Sequence, residues 1–266
     1  VAAVLVSWNT RDELLLALGS LRREDPALEI VVVDNASTDG SPEALRAAHP
    51  DVTLIQNPEN VGFGPAANQA LNRTTAPYVL LLNSDAELRP GALPALAHVL
   101  DTRPEVAVVG PRTRFADGAI QLSWGSRPGF VSEWSQRRLV KALEAREPGA
   151  MHHAEALASR EHEPDWLSAS AWLARREALL AAGLFDEGFF LYWEDVDLSL
   201  RLRDAGWRLV FTPTAEVVHR QGASNERSGG RALAEYHRSH LRFYRKHNGP
   251  LGAAALWLAQ RLRGVR

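Results

Sequence analysis

Three carboxylates, Glu194, Asp195 and Asp197, stand within four residues, directly after the apolar and aromatic run Phe189-Phe190-Leu191-Tyr192-Trp193. Grouped acids can bind a cation or take a proton from a hydroxyl as a general base. Acids at a helix N-terminus are also favoured by the helix dipole, and on this stretch alone capping outranks chemistry. The aromatic run argues that the cluster is drawn toward a wall or cleft. A second polar group, Asn83-Ser84-Asp85-Ala86-Glu87, follows the apolar run Val79-Leu80-Leu81-Leu82. An acid at a strand's carboxyl end is a candidate ligand for a hard divalent cation, with a polar turn capped by Asp85 as the equal alternative. His219 closes another apolar stretch and gains weight as a ligand only if the fold brings it to Asp85. His152, His153 and His162 have no partner at metal-binding spacing, and the polar stretch 144–163 around them reads as a mobile loop.

The elements that must position these groups alternate strand and helix. Val1 to Trp8 is a continuous apolar run, as in a buried parallel strand, and delivers Ser7 and Asn9. Val1 to Val6 has neither a basic leader nor a small-residue cleavage site and reads as an opening strand, with a few residues expected before it. Leu14, Leu15, Leu18 and Leu21 recur at helical spacing, and Glu29 to Asp34 is a second strand, delivering Asp34 and Asn35. Open α/β sheets bind ligands at these carboxyl ends. A turn through Gly40 leads into a helix with Ser41 as its cap and Pro42 at its first position. Asn60-Val61-Gly62-Phe63-Gly64 precedes the helix 65–71, and such a loop offers backbone N–H groups to an anion. Its spacing matches neither a P-loop nor a dinucleotide fingerprint. Strands follow at 77–82 and 105–110, with an edge strand at 119–124. Trp134, Leu139, Val140 and Leu143 suggest an amphipathic helix. Residues 165–174 are strand-like, the acid cluster opens a helix ending at Gly206, and 207–211 and 215–219 read as two further strands.

The 266 residues, 45% hydrophobic and 23% charged, suffice for one large α/β domain or two small ones. There is no cysteine, which excludes disulfides and cysteine-based metal or redox sites and suits a cytoplasmic location. No apolar run reaches the ~20 residues of a membrane span. The net charge of −2 is uneven: from Arg220 onward ten Arg or Lys face only Glu226 and Glu235. A basic tail on an acidic body points to phosphate, an anionic membrane surface or nucleic acid; the tail carries no nucleic-acid module, so that last partner is set aside.

Five blocks in order carry a resemblance: Val6-Ser7-Trp8-Asn9; Asp34 to Gly40; Asn60 to Gly64 with Ala67-Asn68; Leu81 to Asp85; and Gly183 to Leu198. Together they resemble the inverting nucleotide-sugar glycosyltransferases of family 2, rhamnosyltransferase-like branch, over most of residues 1–222. The resemblance implies a GT-A type α/β fold, in which a Rossmann-like nucleotide-sugar-binding half (1–111) is fused to an acceptor-binding and catalytic half of the same domain (112–222). A basic helical tail (223–266) follows. It implies that Asp34 bonds the donor's base with Ser7 and Asn9 near the nucleoside, and that Asn35, Asn60, Gly62, Asn68, Asn83 and Ser84 belong to the nucleotide site. It also implies that Asp85 and His219 hold Mn²⁺ or Mg²⁺ and that Asp195, beside Glu194, is the catalytic base. Spacing alone does not separate the three acids of the cluster. The donor expected is a dTDP-, UDP- or GDP-sugar, with rhamnose favoured. The acceptor expected is a glycan or lipid-linked glycan met at the inner face of the plasma membrane.

Two departures stand out. Asn83 replaces the first acid of the family's D-x-D element, with Glu87 as a candidate substitute, and Ala169-Ser170 stands where Gly-Ala is common. The competing readings are a sugar-nucleotide-forming nucleotidyltransferase, which lacks its glycine- and lysine-rich phosphate loop here, and a non-catalytic nucleotide- or carbohydrate-binding module, which would not need both Asp85 and Asp195. In the tail, Leu233, Tyr236, His240, Leu241 and Tyr244 share one helical face. Leu251, Ala255, Leu258 and Leu262, with Trp257 nearby and Arg261 and Arg263 at the end, share another. The second segment has the composition of an interfacial membrane helix, and packing on the domain or a dimer partner is its equal alternative.

Overall fold

The computed structural model describes residues 1–220 and 231–262. Strands β1 (Ala2–Ser7), β2 (Glu29–Asp34), β3 (Thr53–Gln56) and β4 (Tyr78–Leu82) run parallel, linked through helices α1 (Arg11–Glu24), α2 (Ser41–Ala48) and α3 (Phe63–Arg73). The central strands of this group are apolar along their length because helices cover both faces. Then follow β5 (Ala86–Leu88), α4 (Ala92–Thr102), β6 (Val106–Arg114), β7 (Ile120–Gln121), β8 (Trp124–Gly125), α5 (Phe130–Glu144) and α6 (Pro148–Ala158). The chain closes with β9 (Trp166–Leu167), β10 (Ala171–Arg175), α7 (Arg176–Ala181), α8 (Glu194–Asp204), β11 (Arg208–His219), α9 (Arg231–His247) and α10 (Gly249–Leu262).

The main sheet has the order β3-β2-β1-β4-β10-β6-β11-β5, with β7 on β6. β10 is antiparallel to both β4 and β6, so a strand from the second half of the chain is built into the middle of the sheet. β6 itself runs through residue 111 without interruption. One face of the sheet buries Leu14, Leu18 and Leu21 of α1 with Leu96 and Leu100 of α4. The other buries Ala66, Ala67 and Ala70 of α3 with Trp172, Phe185, Leu198 and Leu202. A third cluster joins Phe189, Trp193, Val196 and Leu200 to Phe243 and Tyr244 of α9 and to Ala253 and Leu256 of α10.

Several local expectations are corrected. Ser41 does not cap α2: the cap position is Gly40, in the left-handed region at φ 83°, and the Ser41 N–H donates to Asp39 (3.0 Å). Residues 144–163 are not a loop but contain α6, whose Ala150, Ala154 and Ala158 stripe packs into the core while His152 and His153 face solvent. Small side chains hide this stripe from a reading that looks for Leu or Val. The strands expected at 207–211 and 215–219 are one strand, β11, with an irregularity between Thr212 and Glu216 where Pro213 breaks the ladder. The run 165–174 is two short strands. β5, three residues long, has no sequence signal. Arg263 lies outside the described residues.

Candidate active site

The carboxyl ends of the strands meet in a cavity of about 750 Å³. Ser7 pairs with Asp34 in register, and His219 at the end of β11 pairs with Ala86, which brings it beside Asp85. The Asn83 N–H donates to Ser170 O (2.9 Å), tying the polar end of β4 to the approach to β10. The third wall is the segment 190–196. It docks on the glycine-bearing loop through the Phe63 N–H, which donates to Phe190 O (2.9 Å). Gly62 is required there: its φ is +94°, and an added Cβ would lie 2.4 Å from Phe190 O.

Glu194 and Asp195 open α8 and line this cavity. Tyr192 and Trp193 before them hold φ of 66° and 70°, two successive left-handed residues that are not glycine. Asp195 Oδ2 accepts the Ala169 N–H (3.1 Å) and Oδ1 accepts the Val196 N–H (2.8 Å). Burial raises the Asp195 pKa above the ordinary carboxylate range, against these N–H groups and a hydrogen bond from Ser168. Burial, then the charge of Asp195, push Glu194 well above its ordinary value. A carboxylate raised toward neutrality and fixed in a cleft is matched to general-base work. Asp197 is different. It is fully buried away from the cavity and bonded to Arg201 (2.8 Å), Lys246 (2.8 Å) and His247 (2.7 Å). The geometry thus separates an acid that holds helices together from two that line the cavity.

Asp85 and His219 converge, with Nε2 3.1 Å from Oδ1. Gln121 Oε1 lies 3.0 Å from His219 Nδ1, so the ring is held between Gln121 and Asp85. An imidazole fixed by a second partner in this way is usual for a metal ligand. Asn83 Nδ2 is 3.3 Å from the same Nε2. Among the described residues no group of three His, Cys, Asp or Glu gathers, so a divalent ion would take its remaining ligands from water and substrate oxygens, as Mg²⁺ commonly does. Glu87 does not substitute for the missing acid: its carboxylate is held by Arg220 (2.8 Å).

The other expected residues divide. Asn35, Asn60, Gly62, Asn83 and Ser84 line the cavity. Asp34 Oδ1 accepts the Ser37 N–H (2.9 Å), and its buried Oδ2 has no partner. Ser7 is fully buried and bonds Thr10 (3.1 Å), which donates to Ser84 (2.8 Å), so it supports a lining residue. Asn9 accepts the Thr38 N–H (2.7 Å). Asn68 staples the 185–187 turn, donating to Phe185 O (3.0 Å) and Glu187 (3.1 Å). The glycine loop does not leave all its N–H groups to an anion: that of Gly62 goes to Asn60 (3.0 Å) and that of Phe63 to Phe190. His162 packs between Trp124 and Phe211. The sequence reading missed Gln121, Ser168, and the α5 and α9 walls with Arg137, Lys141 and Tyr236. Arg137 and Lys141 do share a helical face at i, i+4 spacing, the one signal that could have raised them.

These features define a glycosyltransferase, and the chain belongs to glycosyl transferase family 2, whose description matches residues 2–167. It is 33% identical over 270 residues to the N-acetylglucosaminyl-diphospho-decaprenol L-rhamnosyltransferase of Mycobacterium tuberculosis, covering 97% of this chain and 87% of that one. It is 30% identical to the pre-mycofactocin glycosyltransferase of the same organism, over 82% of this chain and 42% of the relative. In fold it is similar to the mannosyltransferase of Pyrobaculum calidifontis solved with GDP-Man and Mn²⁺ (TM-score 0.61, 20% identity, 98% of this chain and 74% of that one). It is likewise similar to GalNAc-T7 solved with UDP, GalNAc and Mn²⁺ (TM-score 0.64, 15% identity, 91% and 49%). The fold is therefore the GT-A type, with a helical C-terminal region. This membership sets aside the nucleotidyltransferase and binding-module readings.

Proposed function

We propose that the enzyme transfers a sugar, rhamnose foremost, from a nucleoside diphosphate donor to a hydroxyl of a lipid-linked glycan, with inversion at the anomeric carbon. The observation that carries this reading is Asp195: a cavity-facing carboxylate whose two oxygens are oriented by the Ala169 and Val196 N–H groups. Asp195 takes the proton of the acceptor hydroxyl, the acceptor oxygen bonds to C1, and the C1–oxygen bond to the diphosphate breaks, its electron pair leaving with the nucleotide. Attack opposite the leaving group inverts C1 and needs no protein nucleophile. Asp34, with its unpartnered buried Oδ2, suits an N–H of the donor's base. Asp85 and His219 would hold the divalent ion, which when bound supplies charge neutralisation at the diphosphate.

The acceptor class is supported by the relative's lipid-diphosphate acceptor and by two surfaces. Arg137 and Lys141, the Arg and Lys side chains that line the cavity among the described residues, offer positive charge for an acceptor phosphate. On α10, Leu251, Leu258 and Leu262 are 86%, 53% and 81% exposed, while Ala253 and Leu256 pack inward. No helix among the described residues is long and apolar enough to cross a membrane. The open face of α10 suits peripheral contact at the inner leaflet, where the basic tail adds attraction. The test is transfer from dTDP-rhamnose, with UDP- and GDP-sugars as competitors, to a lipid-diphosphate glycan, with product anomeric configuration read by NMR. Asp195→Asn is expected to keep donor binding and lose ~10²–10⁴-fold in turnover. Retention of configuration, or full turnover by that variant, refutes the mechanism.

A further inference from the structure

Asp195 accounts for the proton transfer and leaves its neighbour Glu194 without a part in it. Glu194 lines the same cavity, is 5% exposed, and its Oε2 has no hydrogen-bond partner. Its remaining support is its own backbone N–H. Asp195, in contrast, accepts from Ala169, Val196 and Ser168. Among the described ion pairs no Arg, Lys or His meets either acid. Of the basic side chains that line the cavity, Arg137 pairs with Glu133 (3.1 Å) and Lys141 makes no described ion pair with either acid; Arg201, Lys246 and His247 are held by Asp197, and His240, stacked on Trp193, meets Glu133 (2.9 Å). Across the cavity, His219 is engaged with Asp85.

Two adjacent carboxyl groups withdrawn from water without a countercharge do not both ionise. The proton stays on the one whose anion has fewer donors, which is Glu194. We infer that Glu194 works as a neutral carboxylic acid whose O–H donates a hydrogen bond to a hydroxyl oxygen of the sugar or acceptor bound beside Asp195. Burial and the neighbouring charge of Asp195 act on it in the same direction. This role rests on the glycosyl-transfer reading and deepens it. One acid of the pair orients substrate without adding negative charge near the departing diphosphate, while the other accepts the proton.

The experiment compares Glu194→Gln, Glu194→Ala and Asp195→Asn with the wild type, by steady-state transfer and by infrared difference spectroscopy at neutral pH. Gln is neutral, nearly isosteric and carries an N–H donor, so Glu194→Gln is expected to keep kcat/KM within about threefold, while Glu194→Ala loses about tenfold or more. Asp195→Asn loses ~10²–10⁴-fold. The wild-type minus Glu194→Gln spectrum should show a protonated carboxyl C=O band. Glu194→Gln as inactive as Asp195→Asn overturns the inference, because an ionised Glu194 would then be the working form. Full activity of Glu194→Ala overturns it as well, because no substrate contact would exist. A spectrum showing both acids ionised sinks it whatever the transfer assay gives, whereas absence of transfer by the wild type sinks the functional reading instead.

Discussion

Removing the Asp197 side chain should unlock α8 from α9 without touching Asp195. The Asp197 side chain is 0% exposed and gathers Arg201 at 2.8 Å, Lys246 at 2.8 Å and His247 at 2.7 Å. Asp197→Ala strands these groups around a void, and breaking a buried pair in this way costs ~3–5 kcal/mol. At ~2.1 cal/mol/K per residue, the unfolding entropy of 266 residues is ~0.56 kcal/mol/K, so the midpoint should fall by about 5–9 °C. Burial alone would raise the Asp197 pKa, but the bonds from His247 and Lys246 and the charge of Arg201 outweigh it and hold it below the ordinary range. A depressed carboxylate stabilises fully above its unfolded pKa of ~3.9 and loses that contribution as pH falls through the lower folded value. The difference in midpoint between wild type and Asp197→Ala should therefore be constant near neutrality and shrink below about pH 4. Differential scanning fluorimetry across pH reads both effects. Asp197→Asn with an unchanged midpoint and turnover down by ~10²-fold or more would refute the assignment and make Asp197 the base.

Two further outcomes are expected. Chelation should abolish transfer and weaken binding of a nucleoside diphosphate, Asp85→Ala should remove the response to Mn²⁺ or Mg²⁺, and His219→Ala should reduce it, all read by calorimetry; transfer surviving full chelation refutes the metal site. The full chain should bind anionic vesicles at low salt and release them at high salt, each basic residue near the surface contributing ~1 kcal/mol, and Leu258→Glu with Leu262→Glu should abolish binding while leaving transfer to a small soluble acceptor intact; equal binding by the double variant places the contact elsewhere.

The parallel strands were legible because burial on both faces leaves uninterrupted apolar runs, and their carboxyl ends could be named residue by residue. Asp85, Asn83, Glu194 and Asp195 were legible as acids and amides following those runs. What pattern could not reach was long-range. The strand β5, which sets Ala86 against His219, is three residues long and carries no periodicity. Asn68 ties the segment at 185–187, and Gly62, which lines the cavity, also admits the close approach of Phe190; both contacts span more than a hundred residues. The helix α6 hid behind alanines in a polar stretch, whereas α5 was legible as an amphipathic helix and only its place on the cavity wall was not.

The sharpest case is the pair of left-handed residues before the acids. Tyr192 and Trp193 each hold a conformation that costs of order 1–3 kcal/mol for a side chain of this size, and such strain persists only where neighbours over-determine it. The neighbours are on α9. Ser239 donates to Leu191 O (2.8 Å), His240 stacks on Trp193 at 4.3 Å, and Tyr236 meets the Tyr192 ring at 5.7 Å. Lys246 and Arg242 hold Asp186 at the other end of the same segment. Burial raises that carboxyl, but these bonds and the Gly188 N–H outweigh it, leaving its pKa at about 2. By composition α9 reads as part of a basic tail; in the fold five of its side chains clamp the loop that aims Glu194 and Asp195. The two C-terminal helices thus divide their work. Arg242, Lys246 and His247 hold Asp186 and Asp197 on either side of Glu194 and Asp195, and the open apolar face belongs to α10, where Leu251, Leu258 and Leu262 are exposed.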